Sequence, residues 1–255
     1  MAETPRPTVL ILGGFLTIPP LYGPLARRLV ERGAAGVVVA GVWTPDWMLA
    51  TLRGTGPIAT RSGLALARAV RMAADRSVGA PVLLVGHSAG GIVGRLLTAP
   101  EPFPGRRFGA GRHIGAVVTL GTPHRLGGGA GIGRRLDAVA GSIAQAAVPG
   151  AFWAPRIGYV SVASGAVAGD PRGSGRARLA HLFYRSVIGR AAQPGTAGDG
   201  VVPVAATHLE GAREVLLPHA LHSPTSAGSW YGSADAVDVW WPVALGAWRA
   251  ALSAR

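Results

Sequence analysis

The sequence contains no cysteine and no lysine. Without cysteine there can be no disulfide, thiolate metal site or thiol nucleophile, and the compartment cannot be read from redox chemistry. Acids are scarce as well: 12 Asp and Glu stand against 25 basic residues, all arginine, for a formal net charge of +13. Charged residues make up only 15% of the chain, below the roughly 25% of an average soluble protein. No apolar run approaches the roughly 18 to 20 residues that a membrane-spanning helix needs. The first candidate run is broken at Gly13-Gly14 and again at Pro19-Pro20. The start, Met1-Ala2-Glu3-Thr4-Pro5-Arg6-Pro7, lacks the charged and apolar regions of a signal peptide, so a cytoplasmic chain is expected.

What is present is a chain of 255 residues, 49% of them hydrophobic. That is enough to bury a core and to exclude disorder over most of its length. The 39 glycines and 20 prolines predict many turns. Twelve arginines lie between Arg53 and Arg135, with only Asp75 and Glu101 to oppose them. They come singly or in pairs (Arg27-Arg28, Arg106-Arg107, Arg134-Arg135) and never form the like-charge block of a binding tail. No recognition motif accompanies the charge, so no nucleic-acid partner is expected.

Short aliphatic runs alternate with helical patterns. Thr8–Leu12, Gly36–Val42, Pro81–Val85 and Ile114–Leu120 read as strands buried on both faces, followed by Arg156–Ala163 and Arg213–Leu217. Helices are expected over Leu21–Arg32, ending at Gly33, from Ser62 as cap to about Asp75, over Ala89–Thr98, and over Ala236–Leu252. This alternation predicts a single α/β domain over 1–255, with a mostly parallel sheet flanked by helices. The stretches 125–154 and 166–198 are too long for plain connections and are expected as insertions, the first a cap with Gly127-Gly128-Gly129 near its start.

Gly86-His87-Ser88-Ala89-Gly90 fits G-x-S-x-G between a buried strand and a helix, the context of a nucleophile elbow. A sharp turn there needs glycines because the backbone passes close to its neighbours, and it lifts the Ser88 hydroxyl above the sheet edge. A serine nucleophile needs a histidine base and an acid to orient it, in the chain order Ser, Asp/Glu, His. Asp199, in Gly198-Asp199-Gly200-Val201-Val202-Pro203, is the favoured acid, with Asp170 as its rival. The loop after Arg213–Leu217 holds His219 and His222; His222, held extended before Ser223-Pro224, is favoured. His208 precedes that strand and is poorly placed. His87 and His124 come too early for the base but fall near the expected pocket. An oxyanion hole would use the backbone N–H groups of Ala89 and of Phe15, after the first strand.

Leu12-Gly13-Gly14-Phe15, Gly86-His87-Ser88-Ala89-Gly90-Gly91, Leu120-Gly121-Thr122-Pro123-His124, Gly198 to Pro203 and the histidine loop together resemble the α/β-hydrolase fold family, in its lipase and esterase branch. The segment from His222-Ser223-Pro224 to Trp230-Tyr231-Gly232-Ser233 is also similar to plant and cyanobacterial lipase-like proteins. Gly13 departs from the His-Gly pair of many relatives. The resemblance implies a carboxylic ester hydrolase working through an acyl-enzyme on Ser88, with no cofactor or metal. Acyl transfer, thioester cleavage, or a non-catalytic binding role on the same fold are the alternatives. The expected pocket is apolar, drawing on Phe15, Leu16, Ile18, Trp43, Trp47, Leu126, Trp153 and Trp230, with Leu16, Trp43, His87 and Leu126 taken as substrate contacts. The partners expected are a small-molecule or lipid ester and, through the arginine-rich middle, an anionic lipid surface.

Overall fold

In the computed structural model, residues 5–53, 56–76, 79–101, 109–127 and 141–255 are described. The pairs Arg106-Arg107 and Arg134-Arg135, and the Gly128-Gly129 part of the expected cap, lie outside them.

Strand β1 (Thr8–Leu12) is buried at every position and is bonded on both sides, to β2 (Gly36–Val39) and to β3 (Val82–His87). Beyond β3 come β4 (Ile114–Leu120) and β5 (Gly158–Ser164). A short antiparallel ribbon of β6 (Val167–Gly169) and β7 (Thr196–Gly198) stands apart from the sheet, whose last strand is β8 (Arg213–Leu217). The sheet runs β2-β1-β3-β4-β5-β8 and every pairing in it is parallel.

Helices must cover both faces of such a sheet, and alternate residues divide between two cores. Val9 and Ile11 of β1 pack with α1 (Gly23–Glu31) and α8 (Ala234–Ser253), through Leu25, Leu29, Trp240 and Trp248. Leu10 and Leu12 face α2 (Thr44–Arg53), α3 (Gly56–Arg76) and α4 (Ala89–Leu97) through Trp47, Leu66, Ala69 and Val93. The indoles of α8 keep their N–H groups satisfied while buried: Trp240 donates to Tyr231 O at 2.8 Å and Trp248 to Pro81 O at 2.7 Å. Gly115 makes room for Trp248, since a Cβ there would stand 2.7 Å from the indole.

Three elements differ from the sequence reading. Helix α3 begins at Gly56, not at a Ser62 cap; Pro57 presets the first turn, and Ser62 is buried inside the helix, its hydroxyl without a partner among the described residues. Strand β2 stops at Val39, and Ala40 N–H turns to Ile11 O before α2, which the sequence reading did not anticipate. Asp46 starts α2 by accepting from Trp43 N–H at 2.8 Å. The described parts of the two long stretches contain α5 (Ser142–Ala147) and, within the second, the ribbon and α6 (Gly175–Ile188); the short α7 (Val204–Thr207) follows. No helix among the described residues is long and apolar enough to cross a membrane.

Candidate active site

Because β1 lies between β2 and β3, the chain leaves β1 toward one side and returns on the other, and a crevice opens at their carboxyl ends. Ser88 stands there, directly after β3, with φ 53° and ψ −128°. A non-glycine residue held in that region costs about 1–3 kcal/mol and persists only where its surroundings over-determine it. Here they do. Ser88 N–H donates to Leu120 O at 2.9 Å, and Ser88 O accepts from Gly91 N–H at 3.0 Å and from the Thr122 hydroxyl at 2.9 Å. A Cβ on Gly90 would run into the carbonyl oxygens of Leu12 and Gly13, and one on Gly86 into the backbone of Gly90 and Gly91. The elbow can close only on glycine.

Asp199 follows β7 and is 2% exposed. Its Oδ1 accepts from Val201 N–H at 2.9 Å and Val202 N–H at 2.7 Å. Its Oδ2 lies 2.7 Å from His222 Nδ1 and accepts from the Tyr231 hydroxyl at 2.9 Å. Burial opposes ionisation, but His222 and the backbone donors outweigh it and hold the carboxyl below its ordinary range. His222 Nε2 in turn lies 3.0 Å from Ser88 Oγ. The backbone joins the same groups, with His222 N–H on Asp199 O at 3.0 Å. The second insertion supports the acid: Tyr184 of α6 donates to Val167 O at 2.9 Å and accepts from Gly200 N–H at 3.0 Å.

The rivals stand elsewhere. Asp170 stays with its own turn, accepting from Arg172 N–H at 2.8 Å. His208 pairs with Glu214 on β8, and His219 is exposed. His124 is buried and held between Arg95, 3.2 Å from its Nδ1, and Thr119 Oγ1 at 3.0 Å. Arg95 is itself buried, and burial draws it down to about 10; it also donates to Val148 O, while its Nε has no partner among the described residues.

His87 lies beneath the site rather than on its surface. Its Nε2 is 2.9 Å from His222 O and its Nδ1 is 2.8 Å from the Tyr22 hydroxyl. Burial first, and the neighbouring His222 second, push it down to about 3, so the ring is neutral. A carbonyl can only accept, so the proton sits on Nε2 and Tyr22 donates to Nδ1. Tyr22 also accepts from Gly14 N–H at 2.9 Å. At Gly13 a Cβ would stand 2.7 Å from the Tyr22 ring, which therefore occupies the space a side chain would need.

Among the described residues no protein acceptor is bonded to Phe15 N–H or Ala89 N–H. A cleft of about 300 Å³ opens over Ser88, walled by Phe15, Leu16, Thr17 and Leu21 on one side and by Ser223, Pro224 and Thr225 on the other. Of the four expected substrate contacts, Leu16 lines this cleft, while His87, 1% exposed, lies under its floor with both ring nitrogens engaged. Trp43 is exposed before α2, and Leu126 packs on Ile92, Leu96 and Ala144. Trp230 is buried against Tyr22 and His87, and Trp47 against Phe15. A larger cavity of about 600 Å³ lies at the opposite edge of the sheet beside Trp153, Arg112 and Arg156, and holds none of these groups. Among the described residues no three His, Asp or Glu side chains gather as metal ligands.

The sequence reading missed Tyr22, Thr122 and Tyr231 as parts of the site. Tyr231 stands in the quoted Trp230-Tyr231-Gly232-Ser233 segment, whereas Tyr22 is 65 residues from its histidine and carried no signal.

No family model matches the chain, and no curated protein matches it. Solved structures do. The mature lipase BlEst2 of Bacillus licheniformis is similar with a TM-score of 0.57 and 17% identity, over 96% of this chain and 93% of that one. A metagenomic carboxyl esterase has a TM-score of 0.52 at 15% identity, over 98% and 75%. An esterase of Pyrobaculum calidifontis has 0.50 at 13%, over 97% and 78%. At these identities the likeness is one of fold: the chain has the α/β-hydrolase fold.

Proposed function

We propose that this chain is a serine hydrolase that cleaves carboxylic esters. One observation carries the reading: an unbroken line from Ser88 Oγ to His222 Nε2 at 3.0 Å and from His222 Nδ1 to buried Asp199 at 2.7 Å, at the carboxyl edge of the sheet. A carboxylate can only accept, so Asp199 keeps the His222 proton on Nδ1 and leaves Nε2 free to take the serine proton. Ser88 attacks the ester carbonyl as its proton passes to His222. The carbonyl oxygen becomes an oxyanion within reach of the unengaged N–H groups of Phe15 and Ala89, the latter at the amino end of α4. His222 then gives the proton to the leaving alcohol, and a water activated by the same base frees the acid from Ser88.

The strain at Ser88 fits this role, because the backbone geometry holds the hydroxyl outside the helix it begins. Phe15, Leu16 and Leu21 offer the substrate an apolar wall, suited to the acyl or alkyl part of a small-molecule or lipid ester. The lipase and esterase names of the structural neighbours point to the same bond.

The test is a fluorophosphonate probe combined with a series of p-nitrophenyl esters of increasing acyl length. The wild type takes up one label and hydrolyses the esters, and Ser88→Ala does neither. A label that remains after Ser88→Ala, or ester hydrolysis that survives it, overturns the reading.

A further inference from the structure

Ser88, His222 and Asp199 would suffice as a triad, yet a second side chain besides His222 reaches the Asp199 carboxylate. We propose that Tyr231 is a positioning residue of this site: its hydroxyl holds Asp199 Oδ2 in line with His222 Nδ1 and shares the negative charge that the histidine would otherwise face alone. The proposal rests on the triad reading above.

Tyr231 is wholly buried, and its hydroxyl donates to Asp199 Oδ2 at 2.9 Å, beside His222 at 2.7 Å on the same oxygen. With Val201 and Val202 on Oδ1, four donors surround the carboxylate, as many as its lone pairs can take. The tyrosine is itself held. Trp240 donates to its carbonyl at 2.8 Å, and Trp230 N–H is bonded to Ser233 Oγ at 2.9 Å across the turn. The base loop is tied to the same turn, since Leu221 N–H donates to Ser229 O at 2.8 Å. Thus His222 and Tyr231 reach the acid from one unit of chain. Gly121 lets them do so. It takes φ 54°, and a Cβ there would stand 2.7 Å from Asp199 Oδ2 and 2.8 Å from the Tyr231 ring.

Removing the hydroxyl alone, by Tyr231→Phe, leaves His222 as the one donor to Oδ2 among the described residues. The carboxylate then becomes more basic toward the imidazole, favours its protonated form, and loses one of the bonds that fix its plane. The other titratable side chains facing the cluster are His87 from β3, held neutral, with Tyr22 behind it, and Tyr184 from α6. None carries a charge near neutral pH that would reverse this direction. Tyr231 does not line the cleft, so substrate binding should be spared.

The experiment is the pH profile of p-nitrophenyl ester hydrolysis by wild type, Tyr231→Phe, and protein carrying 3-fluorotyrosine at 231. Fluorotyrosine is a better donor of nearly the same shape and keeps the comparison open if the phenylalanine variant folds poorly. In Tyr231→Phe, kcat falls about tenfold, KM changes by less than about twofold, and the acid limb of kcat/KM moves up by about half a pH unit. Fluorotyrosine moves that limb down. A merely structural tyrosine would lower the melting temperature and leave the limb in place. An unmoved limb in both proteins, or a shift with the opposite sign, overturns the role of Tyr231. A wild-type profile that does not depend on His222, shown with His222→Ala, overturns the hydrolase reading instead.

Discussion

Gly14 and Ser88 face each other across the crevice so closely that a methyl group on Gly14 would stand 2.8 Å from Ser88 Cβ. The same methyl would lie 3.2 Å from His87 O, which is backbone and cannot turn aside. The loop after β1 is therefore pressed onto the elbow, and this contact sets where the next N–H, that of Phe15, points. Gly14→Ala should shift that loop. We expect kcat/KM for p-nitrophenyl esters to fall on the order of 10²-fold, as for the loss of one oxyanion donor, while labelling by a fluorophosphonate at long reaction times persists. Wild-type kinetics in this variant would mean that the loop accommodates the methyl and that its position does not matter.

The two candidate acids separate cleanly. Asp199→Asn removes the acceptor that sets the His222 tautomer, and kcat should fall by about 10³- to 10⁴-fold. Among the described residues the Asp170 carboxylate bonds within its turn, at Arg172 N–H, so Asp170→Asn should keep activity within about twofold. Parallel kinetics on the two variants decide the assignment, and an equal loss would remove Asp199 from its role.

The two candidate bases can be treated in the same way. His222→Ala should abolish turnover to the level left by Ser88→Ala, because the two residues act as a unit and their losses do not add. His219 is exposed beside Pro218 and should be replaceable by alanine with activity retained. Turnover that survives His222→Ala and not His219→Ala would move the base.

Stability should fall with acid earlier than an exposed histidine would cause. His87 is held near 3 by burial, against about 6.5 when unfolded, so between those values the unfolded chain binds a proton that the native one does not. The stability it contributes is present above about pH 6.5 and is lost as pH falls toward 3, at most about 5 kcal/mol from this group. Buried His124, also held well below its ordinary value, acts in the same direction. Urea midpoints measured from pH 7.5 to 5 should therefore decline in the wild type, and His87→Gln should flatten the decline. Equal slopes in both proteins would show that His87 is not the neutral, buried group described.

Much of the scaffold was visible in the order of residues because it depends on local rules. Ile114–Leu120 and Arg213–Leu217 are strands over the residues expected, and the helices after Ser88 and before the carboxyl terminus differ by no more than two residues at either end. A short aliphatic run that ends at a turn residue, Gly121 in one case and Pro218 in the other, admits few other structures. The glycines of the elbow were equally plain, since crowding there is built into a strand-to-helix turn. What misled was local too: Ser62 has the chemistry of a cap, but Pro57 offers a better start and the helix takes it.

The sequence by itself determined the alternation of strand and helix, the position of Ser88 at a strand end, and a short list of acids and histidines that could serve it. It favoured Asp199 and His222 from the turn residues around them, but a hydrogen bond between residues 23 or 134 positions apart leaves no trace in spacing. Tertiary structure brings β7, the loop after β8 and the elbow to one edge of the sheet, so that His222 rather than His219 lies at bonding distance from Ser88, and Asp199 rather than Asp170 at bonding distance from His222. It also decided that His87 lies beneath the site, tied to Tyr22 and to the backbone of His222. It placed Tyr231 on the acid as well. Both are buried polar groups, and which partner satisfies such a group is settled only by what is packed against it once water has gone.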